Sequence, residues 1–329
     1  MIQMKKEPFQ MPSLIQLQYA LSVERHRHFS KASKECNVTQ PTLSQQLQKL
    51  EDEIGIILFD RGKKPILPTP EGERFLEQAK VVLRENEKLL HISKQTKSHE
   101  VSGEFRLAVI PTVSSYLLPM VIRQFAKKYP KVQLFIEEMK TETILSELSN
   151  DKLDGAILAT PISGSQYKTH PLYYEPFYVY FCSRHPLLKF NLVSRDQLNI
   201  MEMWLLQDGH CFKDQVLKYC AMPDSRRWTS QGNVRFQSGS LDTLKRLVQS
   251  SDGFTLIPAM MAFALSEKER TGHVRAFTPP VPTREISFIY RRDHWKLTII
   301  KAIEETVLQN LPASIHRKLD KKQTLLDVC

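Results

Sequence analysis

The sequence lacks any long apolar run. No uninterrupted apolar stretch in its 329 residues approaches the roughly 18 residues that a membrane-spanning helix needs. The first residues, MIQMKKEPFQMP, contain two lysines but lack the apolar segment that follows the basic residues of a signal peptide. We therefore expect a cytoplasmic protein with no membrane partner.

Cysteine is also scarce, with five residues at uneven spacing. An odd, sparse set is not typical of a secreted disulfide scaffold, so we expect reduced thiols. No close cluster of cysteine and histidine offers enough ligands for a metal, and the sequence predicts neither a metal site nor another cofactor. Cys36 and Cys182 are expected to pack in the interior and Cys329 to lie on a polar tail.

Composition predicts two or three compact units, since 41% of the residues are hydrophobic and 25% are charged. The formal net charge of +10 is compatible with binding nucleic acid. Through Glu100, however, 16 Lys and Arg stand against 13 Asp and Glu, so most of the excess lies in the remaining two thirds. Basicity alone does not locate a DNA surface.

The N-terminal pattern predicts a helix, a short turn and a second helix. Apolar residues recur at helical spacing from Leu14 to Val23. Ser30 and Thr39 can each cap a following helix through the side-chain hydroxyl. Asn37 suits the left-handed residue that ends the helix between them.

The helix after Thr39 has two different faces. Its apolar positions recur at intervals of 4, 3 and 4 and must face a core: Leu43, Leu47, Leu50 and Ile54. Its other face carries uncharged side chains that can read base edges in a major groove. These are Gln40, Thr42, Ser44, Gln45 and Gln48, with Pro41 in the first turn. For an isolated helix, a merely solvated polar face would be the simpler interpretation.

A basic turn with a glycine follows, in LFDRGKKPILPT. It is typical of a wing, and its cations can meet phosphates or the minor groove: Arg61, Lys63 and Lys64. Next, Thr69 caps a long helix that opens with Pro70, and the wide apolar face of this helix favours pairing with a second copy. The polar residues 94–103 predict a hinge.

Residues 28–72, HFSKASKECNVTQPTLSQQLQKLEDEIGIILFDRGKKPILPTPEG, resemble the DNA-binding region of LysR-type transcriptional regulators. The resemblance implies a winged helix-turn-helix on double-stranded DNA, with base or adjacent backbone contacts from Gln40, Pro41, Ser44 and Gln45. It implies that Arg61 serves the wing and that the helix from Pro70 to Ser93 pairs two subunits. Position 45 is often arginine in this family, so Gln45 bears on base preference.

The rest of the chain alternates strand and helix signals, which predicts an α/β sheet with parallel strands. Two such units with crossovers near residues 176 and 284 resemble the two-subdomain effector domain of the same family, a fold shared with periplasmic binding proteins. Ligands in open α/β sheets bind near helix N-termini. Pro111–Ser114 and Ser238–Ser240 occupy such places, although capping is the commoner role of their hydroxyls.

Two cysteines share one predicted helix that begins near Cys211. Cys220 lies 9 positions later, hence about 13.5 Å away along a regular helix at roughly 1.5 Å per residue. A disulfide needs Cα atoms within roughly 7 Å, so a bond between these sulfurs requires the helix to unwind. We take this conflict as a hypothetical switch. His210, Lys213 and the helix N-terminus favour the thiolate of Cys211, whereas Cys220 is an ordinary packed thiol.

The motif DGHCxxDQ with its later cysteine resembles the hydrogen-peroxide sensors of the LysR-type family, and the similarity runs over nearly the whole chain. IPTVxxYLLP, KLDxxILA, SLxTL and GxTLIPA belong to it. The resemblance implies that Cys211 reacts with peroxide and that Cys220 resolves the product as a disulfide. The residues implied around the peroxide are Thr112, Thr141, His210, Asp214 and Arg291. Gln207, Phe212 and Lys213 depart from the usual Glu, Leu and Arg.

Two alternatives stay open. The cysteines can be incidental in a LysR-type regulator of a small organic effector, or the protein can be a thiol peroxidase, although a non-enzymatic regulator is expected. The partners implied by the resemblance are DNA, hydrogen peroxide, further copies in a homodimer or homotetramer, RNA polymerase, and a reductant such as glutaredoxin or thioredoxin. An activator is expected.

The predicted division of the chain has four parts. A winged helix-turn-helix domain covers residues 12–69, and a dimerisation helix with its hinge covers 70–103. A redox-sensing regulatory domain covers 104–312, with subdomain I at about 104–176 and 284–312 and subdomain II at about 177–283. A polar tail covers 313–329.

Overall fold

A computed structural model describes residues 11–95, 100–207, 211–220, 229–231, 234–236 and 238–326. The chain divides into two compact units, Met1–His99 and Glu100–Cys329. We refer to them as the N-terminal unit and the regulatory unit. Among the described residues, no helix has the length and apolar character needed to cross a membrane.

The N-terminal unit contains four helices and a two-stranded hairpin within its described residues. They are α1 (Leu14–His26), α2 (Phe29–Glu35), α3 (Gln40–Ile54), β1 (Phe59–Asp60), β2 (Leu67–Pro68) and α4 (Pro70–Gln95). Strands β1 and β2 are antiparallel. This is the predicted helix-turn-helix with its wing.

Capping residues determine where these helices begin. Ser13 caps α1 in a reciprocal capping box with Gln16, and the Thr39 hydroxyl accepts a hydrogen bond from the Thr42 amide at the start of α3. The prediction that Ser30 caps α2 is wrong. The cap is His28, two residues earlier, whose Nδ1 accepts a hydrogen bond from the Ser30 amide, and the helix begins at Phe29.

Gly72 makes a close approach that only glycine permits. A Cβ at this position would lie 2.2 Å from the Leu58 carbonyl oxygen, well inside van der Waals contact. The Gly72 amide donates to the Thr69 hydroxyl at 2.9 Å, so Thr69 caps α4 as predicted. The start of α4 is therefore fixed against the residues that enter the wing.

The regulatory unit alternates strands and helices. Its strands are β3 (Gly103–Val109), β4 (Val132–Glu138), β5 (Gly155–Thr160), β6 (Tyr167–Phe181), β7 (Leu192–Val193), β8 (Thr229–Gln231), β9 (Val234–Phe236), β10 (Phe254–Pro258), β11 (Val274–Phe277), β12 (Val281–Arg291) and β13 (Gln323–Leu325). Its helices are α5 (Pro111–Lys128), α6 (Thr141–Ser149), α7 (Cys211–Tyr219), α8 (Leu241–Ser250), α9 (Ala259–Ala264), α10 (Glu267–His273) and α11 (Leu297–Asn310). Short 3₁₀ turns cover Pro186–Lys189, Arg195–Gln197 and Ile200–Glu202.

A mixed sheet of nine strands joins these elements across the described residues. Its main path runs β4-β3-β5-β12-β6-β11-β7, with β10 paired to β6 and β13 to β12. The strands β3, β4 and β5 are parallel, as predicted, whereas the two long strands β6 and β12 are antiparallel to each other. The α/β prediction is confirmed.

Two hydrophobic cores lie along β6 and β12. The first packs α5, α6 and α11 on the parallel strands and includes Cys211. The second packs α7, α8 and β10 and includes Cys220. The two predicted crossovers are the central parts of β6 and β12, where Glu175 stands opposite Arg284.

The C-terminal residues form more than the predicted polar tail. Strand β13 pairs in parallel with the start of β12, and Leu326 is buried in the second core. The polar composition of this segment does not indicate a strand. Its pairing partners, from Val281 to Thr283, are also about 40 positions away in sequence, so no local pattern predicts the pairing. Cys329 lies outside the described residues.

Candidate DNA-binding surface and redox site

The expected base-reading residues lie at the start of α3. Gln40, Pro41, Thr42 and Gln45 are exposed, and Ser44 is half-buried. The apolar positions Leu43, Leu47 and Leu50 are buried on the opposite side, as the periodicity predicts. The exposed polar face is available for a groove of DNA, and its role there stays a prediction.

The wing is held to α3 by one carboxylate, Glu51. Its Oε1 accepts the Leu58 and Phe59 amides at 2.7 and 3.3 Å, and its Oε2 accepts Nη2 of Arg61 at 2.6 Å. The Arg61 guanidinium also lies 5.6 Å from the centre of the Phe29 ring. Arg61 therefore fixes the wing, whatever it contacts on DNA. The sequence did not predict this role of Glu51, because no local pattern around it indicates a contact with the wing.

Helix α4 changes character along its length. Leu76 and Ala79 are buried in the core of the N-terminal unit, whereas Val82 and Leu89 are 40% and 66% exposed. Lys80 ties this stretch to α1 through an ion pair with Glu24 at 3.0 Å. Exposed apolar side chains beyond the domain core are compatible with the predicted helix pairing, which stays a prediction.

The two cysteines of the redox hypothesis lie at opposite ends of α7. Cys211 is the first helical residue, and the Cys220 amide still donates to the Val216 carbonyl at 2.9 Å, so the helical bonding continues to the second thiol. Both cysteines are free and buried. Since Cys211 packs in the first core and Cys220 in the second, each sulfur has its own surroundings.

Burial raises the pKa of the Cys211 thiol. The positive charge of Arg284, the Thr141 hydroxyl and the Phe212 amide each lower this pKa, and the Asp214 carboxylate raises it, but desolvation is the largest effect. The amide at the start of the helix thus lowers the pKa, as predicted, but the predicted net preference for the thiolate is contradicted. Enclosure in a core outweighs it.

Thr141 supplies an unused hydroxyl beside this sulfur. Its Oγ1 is buried and lies close enough to interact with the Cys211 thiol, but no other polar group within the described part of the chain bonds to it. A buried hydroxyl without a partner costs free energy, so such groups are retained where something else binds them. A small polar ligand beside Cys211 would satisfy it.

A buried ion pair lies against the same helix. Arg284 donates Nε and Nη2 to Oε2 of Glu175 at 2.9 and 2.7 Å, and both side chains are at most 1% exposed. The guanidinium also donates to the Thr112 hydroxyl and carbonyl, at 3.0 and 3.1 Å, and lies 5.3 Å from the Phe212 ring centre. Thr112 and Arg284 thereby connect α5 to α7.

Arg291 does not belong to this group. Its guanidinium pairs with Asp293 and Asp151 and donates to the Ser149 carbonyl. It lies seven residues beyond Arg284 on β12, about 23 Å further at roughly 3.3 Å per residue. The prediction of Arg291 at the reacting sulfur is wrong, and Arg284 takes that place. A charged residue inside an otherwise buried strand was the signal that could have found it.

The other residues predicted to surround the peroxide lie in different places. Thr112 meets Arg284, Thr141 faces the sulfur, and Asp214 acts on it through its charge. His210 lies outside the described residues.

At the other end of α7, burial raises the pKa of Cys220 to about 11, and the positive charge of Arg195 opposes the rise only in part.

A separate cleft lies between α5 and α8. It has a volume of about 90 Å³ and is lined by polar groups that include Ser115, Glu138 and Ser240. Tyr116 of α5 donates to Asp242 of α8 at 3.1 Å across it. Ser240 also caps α8, the commoner role considered for it.

Cys36 and Cys182 have no such surroundings. Cys36 ends α2 and is half-buried against the N-terminal core, and Cys182 is buried directly after β6. Within the described residues, no group of three or more histidine, cysteine or acidic side chains is arranged to hold a metal ion.

Comparison with known proteins supports the division into two units. The family model of the bacterial regulatory helix-turn-helix protein, lysR family, matches residues 14–73, and that of the LysR substrate binding domain matches residues 98–312. The hydrogen peroxide-inducible genes activator of Haemophilus influenzae is 34% identical over 275 residues, which are 84% of this chain and 89% of that protein. The DNA-binding transcriptional dual regulator OxyR of Escherichia coli is 34% identical over 278 residues, 84% of this chain and 88% of its own.

The fold has a solved counterpart as well. A full-length cysteine variant of OxyR from Pseudomonas aeruginosa superposes with a TM-score of 0.74 at 30% identity, over 92% of this chain and 99% of that one. Both matched families cover their own unit of the fold, and together they span most of the sequence. The chain belongs to the LysR family of bacterial helix-turn-helix regulators.

Proposed function

We propose that this protein is a peroxide-responsive, DNA-binding transcription regulator, switched by oxidation of Cys211 and disulfide formation with Cys220. The observation that carries the proposal is one helix with a reduced, buried thiol at each end, each in a different core. Relatives named as hydrogen peroxide-inducible activators, at 34% identity over most of the chain, support it.

The proposed chemistry needs only peroxide and the two thiols. The Cys211 thiolate attacks one oxygen of hydrogen peroxide, the oxygen–oxygen bond breaks, and hydroxide leaves as Cys211 becomes a sulfenic acid. The Cys220 thiol then attacks the sulfenic sulfur, which forms the disulfide and releases water. Two thiols and one peroxide give one disulfide and two waters, and a thiol reductant such as thioredoxin or glutaredoxin reverses the change.

The residues around Cys211 suit this step. Arg284 and Thr141 present a positive charge and a hydroxyl to the space beside the sulfur, where a peroxide needs hydrogen-bond donors and where negative charge develops on the leaving oxygen. Thr112 holds Arg284 in place, and Asp214 and His210 complete the proposed pocket. A sulfenic acid is more polar than a thiol, which destabilises it in the first core.

Disulfide formation converts this chemistry into a change of shape. The two Cα atoms are about 13.5 Å apart along a helix of this length, and a disulfide holds them within about 7 Å, so α7 cannot stay regular. Because α7 packs in both cores of the regulatory unit, its unwinding repacks them. The repacked unit then changes how a homodimer or homotetramer presents its helix-turn-helix domains to double-stranded DNA and to RNA polymerase.

In the proposed complex, the start of α3 enters the major groove. Gln40, Pro41, Thr42, Ser44 and Gln45 contact bases or adjacent backbone, and Arg61 orients the wing. Glutamine pairs bidentately with adenine, whereas arginine pairs with guanine, so Gln45 directs base preference towards adenine at its position.

Single serine variants test the proposal. Wild type and Cys182→Ser, which replaces a buried thiol that is not part of α7, should each lose two thiols on peroxide treatment and give a peptide with Cys211 bonded to Cys220. Cys220→Ser should stop at a sulfenic acid that dimedone traps, and Cys211→Ser should not react. Promoter footprints, recorded on the same samples, should change only where the disulfide forms.

Two results would contradict this function. A footprint that switches fully in Cys211→Ser would favour a regulator of an organic effector. Sustained peroxide turnover with a thiol reductant, unaffected by DNA and at enzyme-like rates, would favour a thiol peroxidase.

A further inference from the structure

The C-terminal segment after α11 runs from the first core to the second. Ile315 is buried in the first core, and the His316 carbonyl accepts the Tyr174 amide of β6 at 2.8 Å. Strand β13 then pairs with β12, and Leu326 is buried in the second core. The segment thus follows both crossover strands of the regulatory unit.

Its end is fastened to the middle of the redox helix. Gln215 is fully buried in α7, and its Nε2 donates to the Leu326 carbonyl at 3.0 Å. The Leu326 amide donates to the Thr283 carbonyl at 2.8 Å, which fixes this carbonyl relative to β12. Its side chain packs in the core that also holds Val216 and Cys220. Within the described residues, Oε1 of Gln215 has no partner, so Leu326 is what holds the amide.

We propose that residues 315–326 form a strap that keeps α7 helical, with Gln215 and Leu326 as positioning residues that set the redox equilibrium of the Cys211–Cys220 pair. This inference rests on the proposed function. Gln215 lies four residues after one cysteine and five before the other, so it belongs to the turns that must open when the sulfurs bond.

The strap therefore stabilises one state of the pair. Its hydrogen bond and its leucine contact exist with a helical α7 and are lost when the helix opens, so they favour the dithiol over the disulfide. A weaker strap makes the pair easier to oxidise at a given ratio of glutathione to glutathione disulfide. The reaction is balanced, since two thiols and one glutathione disulfide give one protein disulfide and two glutathione molecules.

Leu326→Ala in the full-length protein tests the strap. It removes the buried side chain but keeps Cys329, and Thr324→Ala is the matched control because Thr324 is an exposed residue of the same segment, in β13. Each protein is equilibrated with glutathione at graded ratios, and the Cys211–Cys220 disulfide is quantified by mass spectrometry. A second variant, truncated after Lys322, removes β13 entirely.

Leu326→Ala should shift the midpoint at least about tenfold towards oxidation, equivalent to about 30 mV for a two-electron couple. Truncation should shift it at least as far, and Thr324→Ala should stay within about twofold of wild type. If Leu326→Ala also stays within twofold while wild type forms the disulfide, the strap is refuted and the proposed function stands. If wild type forms no such disulfide at any ratio, the proposed function itself fails.

Discussion

The buried pair of Glu175 and Arg284 provides a quantitative test of the redox site. Arg284→Met removes the cation and leaves the Glu175 carboxylate enclosed at 1% exposure, where the Met260 amide donates to its Oε1 at 2.8 Å. Removing one partner of a buried ion pair costs about 3–5 kcal/mol, because the remaining charge has lost its compensation. Glu175→Gln should reduce the free energy of unfolding by a similar amount, because it leaves the buried Arg284 guanidinium without its carboxylate partner.

The double variant separates the pair from its parts. With both charges absent no uncompensated ion remains, so Arg284→Met with Glu175→Gln should be less destabilised than the sum of the single variants, by at least about 2 kcal/mol. Urea unfolding of the reduced protein measures these values. All three tryptophans, Trp204, Trp228 and Trp295, belong to the regulatory unit, so their fluorescence reports this unit alone.

Arg291→Met is the matched control, because it removes an arginine from the same strand. Its partners Asp151 and Asp293 are partly exposed, and such pairs contribute about 0–1 kcal/mol. Arg284→Met should also raise the pKa of Cys211 and slow its reaction with peroxide, whereas Arg291→Met should leave both unchanged. Equal slowing by the two variants, or additive destabilisation in the double variant, would refute the assignment of Arg284.

Three further outcomes are expected. In the folded protein the pKa of Cys220 is raised to about 11, so as the pH rises the unfolded chain releases this proton before the folded one does. The reduced protein should therefore lose about 2–3 kcal/mol of stability between pH 9 and 11, and the Cys220→Ser variant should not show this loss. Glu51→Ala should leave the Leu58 and Phe59 amides unbonded and destabilise the wing by about 2–4 kcal/mol, seen as faster hydrogen exchange at those amides. Leu89→Asp should abolish dimers in light scattering without unfolding the N-terminal unit, since Leu89 is exposed in the single chain.

Local signals predicted most of the N-terminal unit. The spacing of Leu43, Leu47 and Leu50 fixed the buried side of α3, and Asn37 has the left-handed φ of 53° that its position after α2 demands. These features depend on residues a few positions apart. The His28 cap and the Glu51 anchor were missed because each depends on which chain segments meet in space.

The redox site was predictable only in part, for the same reason. α7 and its two cysteines could be found from one short stretch of sequence. Arg284, in contrast, reaches Glu175 over 109 positions and Thr112 over 172, so its place depends on the register of β6 and β12. Proximity of Cys211 to a helix start suggested a thiolate, but the extent of desolvation depends on the complete first core.

The raised pKa of Cys211 bears on how such a thiol can react at all. Below its pKa, the thiolate fraction rises about tenfold per pH unit, so a buried thiol with a raised pKa is mostly protonated at pH 7. Reaction with peroxide then depends on a small thiolate fraction and on two donors beside the sulfur, the Arg284 guanidinium and the Thr141 hydroxyl, which also stabilise the departing oxygen. The rate of Cys211 oxidation should accordingly climb about tenfold between pH 7 and 8 in stopped-flow measurements. A rate that is already level across this range would mean a thiolate at rest, and would overturn the view that burial governs the reduced state.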